Sequence, residues 1–187
     1  MGTEPINGDA LSALLDISKV ITGETASVDF DRTVEVDFSD GDITADTNVK
    51  VSGTFTDNSG YMHLDIKLSA AYKTGCARCL KEIDTKLETE QSLPVMMQPD
   101  DKEREEALEA EYIFVKEDEP GSKMRYSLDL GEICYMMIIT SLPTRHLCSQ
   151  DCLGLCPKCG CDLNEGECGC DRKPTDPRLA GLADFFK

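Results

Sequence analysis

The sequence predicts an α+β fold: an antiparallel β-sheet built from hairpins, a few helices, and a C-terminal cysteine-rich segment. Three observations carry this reading. Apolar and polar residues alternate over long stretches between Val28 and Leu93, the period of strands with one wet face. A well-punctuated helical pattern comes only later, opening at Asp129 and stopping at Pro143. Seven of the ten cysteines then crowd between Cys148 and Cys170. Strands in succession followed by helices argue for α+β, with residues 1–143 as the sheet domain and 144–187 as a cysteine-rich tail ending in a short helix.

The elements follow in order. Asp9 is placed to cap a short helix with Leu11, Leu14 and Leu15 on one face, and Gly23 lies in the loop that ends it. Val28, Phe30, Val34, Val36 and Phe38 share one parity and mark a strand. Val49, Val51 and Phe55 repeat the pattern, Asp57-Asn58-Ser59-Gly60 is a turn, and Met62 to Tyr72 alternate in the longest strand. The chain passes through Cys76-Ala-Arg-Cys79 and leaves as another alternating stretch with Ile83, Leu87 and Leu93. Tyr112-Ile113-Phe114-Val115 reads as a buried strand. Asp129 and Glu132 form a capping box for a helix that buries Leu130, Ile133, Cys134 and Met137, and on this face Cys134 reads as a small hydrophobe. Asp176-Pro177 opens a last helix with Leu179, Leu182, Ala183 and Phe186 on its apolar face.

The cysteine spacing points to metal. In Leu155-Cys156-Pro157-Lys158-Cys159-Gly160 the first cysteine opens a tight turn whose backbone N–H groups point back at sulfur, Pro157 fixes one φ, and Gly160 supplies the positive φ that closes it. A Cys-x2-Cys pair is half a tetrahedron. Cys168 and Cys170, returned by Asn164-Glu165-Gly166, supply the other half. Cys76 and Cys79 form a second pair at a turn between strands, with Cys148 and Cys152 as partners. Setting aside Cys134 and Cys161, eight thiols make two closed sites and imply two zinc ions per chain. Iron is the rival metal, because the second knuckle resembles that of rubredoxin. A rival grouping joins Cys76 and Cys79 to Cys156 and Cys159. His63 reads as solvated, and His146 is outnumbered as a ligand by the sulfurs around it.

Composition narrows the function classes. Hydrophobic content of 40% and charged content of 29% suit a folded protein. No secretory pattern or membrane-length apolar run is seen, so a cytoplasmic, reducing setting is expected, and such a setting favours metal over disulfides. The net charge is −17, and ten acidic residues between Gln98 and Glu119 face only Lys102, Arg104 and Lys116. Such a surface repels nucleic-acid phosphate and attracts basic proteins. A hydrolytic centre would need an open metal position and a base, and no convincing set is present, so no enzyme is expected. Two other classes compete. A zinc-ribbon module could touch RNA through Lys73, Arg78, Lys81 and Lys86. A thiol redox protein could exchange Cys76 and Cys79, although that chemistry favours a helix N-terminus and this pair follows a strand.

These residues resemble the bacterial YceD family. The resemblance rests on Leu15-Asp-Ile-Ser-Lys19, Cys76-Ala-Arg-Cys79-Leu80, Asp129-Leu-Gly-Glu132 and Leu142-Pro143. It continues through Leu147-Cys148 to Cys159-Gly160, then Asp162 to Gly166 before Cys168 and Cys170, and Asp176-Pro-Arg-Leu179. Cys161 stands where a non-cysteine residue is expected. The resemblance implies a cytoplasmic factor supporting synthesis, processing or accumulation of large-subunit ribosomal RNA. It implies a partner such as a ribosomal protein or assembly factor, a small basic large-subunit protein being the first candidate.

Overall fold

Alternating residues build most of the molecule. The computed structural model describes residues 13–97, 112–122 and 124–171. The expected C-terminal helix from Asp176, the positions Asp9 and Leu11, and most of the acidic stretch lie outside them. By its contacts the chain forms two units, Met1–Thr74 with Asp84–Thr144, and Gly75–Ile83 with Arg145–Lys187. The turn that carries Cys76 and Cys79 therefore groups with the tail rather than with residues 1–143.

The first unit holds the sheet and its core. Its elements are β1 (Leu14–Asp16), α1 (Ser18–Ile21), β2 (Ser27–Glu35), β3 (Thr44–Ala45), β4 (Asn48–Asn58), β5 (Tyr61–Gly75), β6 (Glu82–Met97), β7 (Ile113–Glu117), β8 (Tyr126–Asp129) and α2 (Leu130–Ser141), the end of β5 and start of β6 reaching into the second unit. Strand order is β1-β8-β7-β6-β5-β4-β2, with β3 on β5. The β4–β5 hairpin matches its expectation. Val51 faces Leu68 and Phe55 faces Leu64 across it. Its two-residue turn, Ser59-Gly60, has both φ positive (58° and 93°), as a tight hairpin turn requires. Leu64, Ile66, Leu68, Ala70 and Tyr72 are all buried along one face of β5. Lys67 pairs with Glu90 and Lys73 with Asp84 between β5 and β6. Although β1 and β2 end the path, Arg32 of β2 donates to the Leu14 carbonyl of β1 at 2.9 Å, so the sheet curls.

Two expectations are corrected. Leu14 and Leu15 belong to a strand, not a helix: Leu15 pairs with Leu128 of β8, and the helix that follows is the single turn Ser18–Ile21. The buried residues here are Leu15 and Ile17, a period of two that pairing with β8 selects over the helical alternative. The sheet is also mixed, because β6 and β7 are parallel, with Val95 facing Ile113. A parallel join needs a crossover of a dozen or more residues, and the connection over residues 98–112 has that length.

Helix α2 starts where expected. Asp129 Oδ1 accepts from Glu132 N at 3.1 Å, while the Glu132 carboxylate lies 3.7 Å from the Lys116 ammonium. Burial pushes the Asp129 carboxyl up, but the Lys116 ammonium, 2.8 Å away, and the N–H groups of Glu132 and Gly131 outweigh it and hold the group below its usual range. Cys134 is fully buried in the core, and burial raises its thiol to about 12, so it behaves as the expected hydrophobe. Asp129→Ala should lower stability by about 1–2 kcal/mol at neutral pH. A depressed folded pKa gives stability that is present above the unfolded value near 4 and lost as pH falls through the lower folded one. The difference between variant and parent should therefore shrink in acid, which urea titrations at neutral and low pH would check.

Candidate metal centre

Two short turns with one geometry build the second unit. Leu80 N donates to the Cys76 carbonyl at 2.9 Å, and Cys76 N donates to the Lys81 carbonyl at 2.9 Å. Three positions are related in the same way in the tail: Gly160 N donates to the Cys156 carbonyl and Cys156 N to the Cys161 carbonyl, both at 2.8 Å. The residue after the second cysteine is left-handed in both, Leu80 at φ 60° and Gly160 at φ 75°. Glycine was legible as the closing residue of the second turn. Leucine carries no such signal, and its left-handed backbone in the first turn is strained and exposed.

Around each turn four sulfurs converge. Cys76, Cys79, Cys148 and Cys152 form one set and Cys156, Cys159, Cys168 and Cys170 the other, the sulfurs of each lying within 4.8 Å of one another. Two edges of the first set measure 3.8 Å (Cys76 to Cys152) and 3.7 Å (Cys79 to Cys148). Four sulfurs about 2.3 Å from a common centre sit about 3.8 Å apart, so these edges are those of a tetrahedral tetrathiolate and far too long for disulfides. Each cluster could hold a metal ion. The rival pairing of Cys76 and Cys79 with Cys156 and Cys159 is not what the chain brings together. His63 and His146 belong to neither set; the His146 carbonyl instead accepts from Ala77 N at 2.8 Å.

The electrostatics fit a cation. Backbone N–H groups of Cys79, Cys148 and Arg78 hold the Cys76 thiol down at about 6, and the Cys170 N–H together with the Cys156 thiol does the same for Cys168. Their neighbours go the other way. The sulfurs of Cys152 and Cys79 push Cys148 up to about 12, and those of Cys159 and Cys168 push Cys170 up to about 12. Donors are therefore arranged for thiolates that cannot all form side by side without positive charge. A divalent ion would supply it.

Several supporting residues escaped the sequence reading. Asn164 takes Leu153 N on its Oδ1 at 2.8 Å, which turns its Nδ2 toward the Cys152 sulfur at 3.5 Å; a residue of the second turn's return arm thus orients a sulfur of the first cluster. Arg78 donates to the carbonyls of Cys152 (2.8 Å) and Gln150 (3.3 Å), and its own carbonyl accepts from Leu155 N. Asn164→Ala should weaken metal retention at the first cluster roughly 10–100-fold and leave the second unchanged, read by competition with a chromogenic chelator.

A β-sheet protein carrying a unit of two turn-built, four-thiol clusters is the class that fold and site define. Residues 64–186 match the family model described as large ribosomal RNA subunit accumulation protein YceD. The chain belongs to that family, and the matched region contains all eight clustered cysteines. Relatives described as uncharacterized proteins of Mycobacterium bovis and Mycobacterium tuberculosis are 31% identical over 111 residues, 59% of this chain and 49% of theirs. The match thus spans about half the length of those relatives. No solved structure matches. No helix among the described residues is long and apolar enough to cross a membrane.

Proposed function

We propose that this chain is a non-enzymatic cytoplasmic factor, folded around two structural zinc ions, that supports accumulation of large-subunit ribosomal RNA by binding a protein partner. The carrying observation is the convergence of four sulfurs in each cluster, two edges of the first being at tetrahedral spacing, in a chain of the YceD family. Four sulfurs fill a tetrahedral ion and leave no position for a substrate or water, which suits a structural role. Zinc is the metal proposed because four-thiolate tetrahedra are the usual form of its structural sites, and colourless purified protein would agree.

The partner's chemistry follows from charge. A chain at −17 gains little from counterion release on RNA. The four basic residues expected to touch RNA are largely engaged: Lys73 pairs with Asp84, Lys86 with Glu88, and the Arg78 guanidinium is held by carbonyls of its own unit. Helix α2 meanwhile presents Tyr135, Met136 and Ile139 outward, each at least 44% exposed. Acidic surface with exposed apolar side chains suits a basic protein, and a basic ribosomal protein or an assembly enzyme is the class proposed. A tagged copy recovered from cells, with bound proteins and RNA both identified, tests this. Enrichment of one basic protein that rebinds purified chain without RNA supports the reading. Tight, salt-sensitive binding of purified RNA, lost in the double variant Arg78→Glu with Lys81→Glu, would replace it with direct RNA contact.

A further inference from the structure

One short stretch, Leu153-Gly154-Leu155, serves both clusters. In sequence it joins Cys152, a sulfur of the first, to Cys156, a sulfur of the second. One side of it meets the first turn: Leu155 N donates to the Arg78 carbonyl at 3.1 Å, and the Arg78 guanidinium donates to the Cys152 carbonyl at 2.8 Å. Gly154 makes this approach possible. Its φ is 74°, and a Cβ there would stand 2.9 Å from the Arg78 carbonyl oxygen.

The other side of the stretch meets the arm that returns to Cys168. Leu163 N donates to the Gly154 carbonyl at 2.9 Å, Leu153 N donates to Asn164 Oδ1 at 2.8 Å, and Leu155 bridges antiparallel to Asp162. The Asp162 carboxylate keeps the arm turned by accepting from Asn164 N at 2.9 Å. From this arm Asn164 Nδ2 reaches the Cys152 sulfur at 3.5 Å. The first cluster therefore leans on an arm whose two ends, at Cys159 and Cys168, are sulfurs of the second.

An arm held at one end is a loose chain. With Cys168 and Cys170 tied through an ion to Cys156 and Cys159, residues 160–167 become a closed loop, and pairing with residues 153–155 then costs less chain entropy. That pairing fixes where the Cys152 sulfur points. All four ligands of the second cluster lie within residues 156–170, whereas the first gathers Cys76 and Cys79 from one turn and Cys148 and Cys152 from the tail, so the second closes the shorter loop.

We propose that the two metal sites are coupled and fill in order, the second cluster first, its loading raising the affinity of the first through residues 153–155 and the Asn164 amide; the inference rests on the metal-binding reading above. A coupling free energy belongs to the pair of sites. Breaking the link at Asn164 and disabling the second site therefore remove the same contribution to the first, and doing both cannot remove it twice.

The test uses the full chain, with zinc counted by elemental analysis and first-site affinity read by competition with a chromogenic chelator. Alkylation followed by peptide mass spectrometry shows which thiols each zinc protects. In the parent the first equivalent should protect Cys156, Cys159, Cys168 and Cys170, and the second should add Cys76, Cys79, Cys148 and Cys152. Cys170→Ser should lose the second site and weaken the first roughly 10–100-fold, and adding Asn164→Ala to it should cost nothing further. Cys79→Ser, which disables the first site, should still bind one zinc and keep the Cys156 and Gly160 amides protected from hydrogen exchange. Parent-like first-site affinity in Cys170→Ser, a further loss of the same size in the double variant, failure of Cys79→Ser to bind zinc, or initial protection of Cys76 and Cys79 would each overturn the proposal. A parent chain that does not hold two zinc ions would instead remove the metal-binding reading itself.

Discussion

Chelation of the metals at neutral pH should expose the backbone amides of residues 145–171 to rapid hydrogen exchange while β4 and β5 stay protected. The reason is the difference in what each unit buries. The first has a continuous core that includes Phe55, Leu64, Ile66, Leu68, Leu128 and Ile138. In the second, the buried cluster among the described residues is Cys76, Cys79 and Cys152 with Leu147 and Leu155 packed on them, so that interior is largely candidate metal ligands. Structural zinc binding contributes about 10–16 kcal/mol per site, as much as or more than the roughly 5–15 kcal/mol that stabilises a whole domain. Losing it leaves too little apolar burial to offset chain entropy. Cys76→Ser should act as a local version, removing one ion of two and releasing exchange protection around residues 76–81 and 146–155. Unchanged protection of the tail after complete metal removal would show that the ions do not hold it.

Gly53→Ala should be the most damaging single methyl in the sheet. Gly53 lies in β4, facing Phe30 on β2 and Ile66 on β5. A Cβ there would collide with the Asp65 carbonyl and come within 2.9 Å of Phe30 Cζ. The carbonyl is backbone in a central strand and cannot swing aside. A cost of about 1–3 kcal/mol, or roughly 5–10 °C in thermal midpoint, is expected, with two metal ions retained. Gly75→Ala is the matched comparison, since a Cβ there meets nothing within 4 Å. Equal midpoints for the two variants would remove the argument from close strand approach.

What the sequence disclosed divides along physical lines. The β4–β5 hairpin and the two Cys-x2-Cys turns were legible because both depend on local period or spacing: alternation sets the buried face of β5, and Cys-x2-Cys sets a turn, while two groupings of the thiols stayed open until the fold brought Cys148 and Cys152 to Cys76 and Cys79. The parallel join of β6 and β7 was not, because no local pattern says which edge a strand reaches after a long connection. The strand at Leu14–Asp16 was missed for the same reason, since three residues fit either period and the partner, β8, decides. Within the site, the left-handed Leu80 and the Asn164 amide on the Cys152 sulfur follow from tertiary constraints that neither residue type announces. Cys161 was visible as an unassigned thiol, and its part in closing the second turn, where its carbonyl accepts from Cys156 N, needed the fold of the turn.

The central claim is that this chain folds around two closed tetrathiolate ions. X-ray absorption at the zinc edge, on purified protein whose metal content has been counted, tests it most directly. The account predicts two zinc ions per chain, each with four sulfurs at about 2.3 Å and no lighter ligand. One ion per chain, or a nitrogen or oxygen ligand in place of a sulfur, would contradict it.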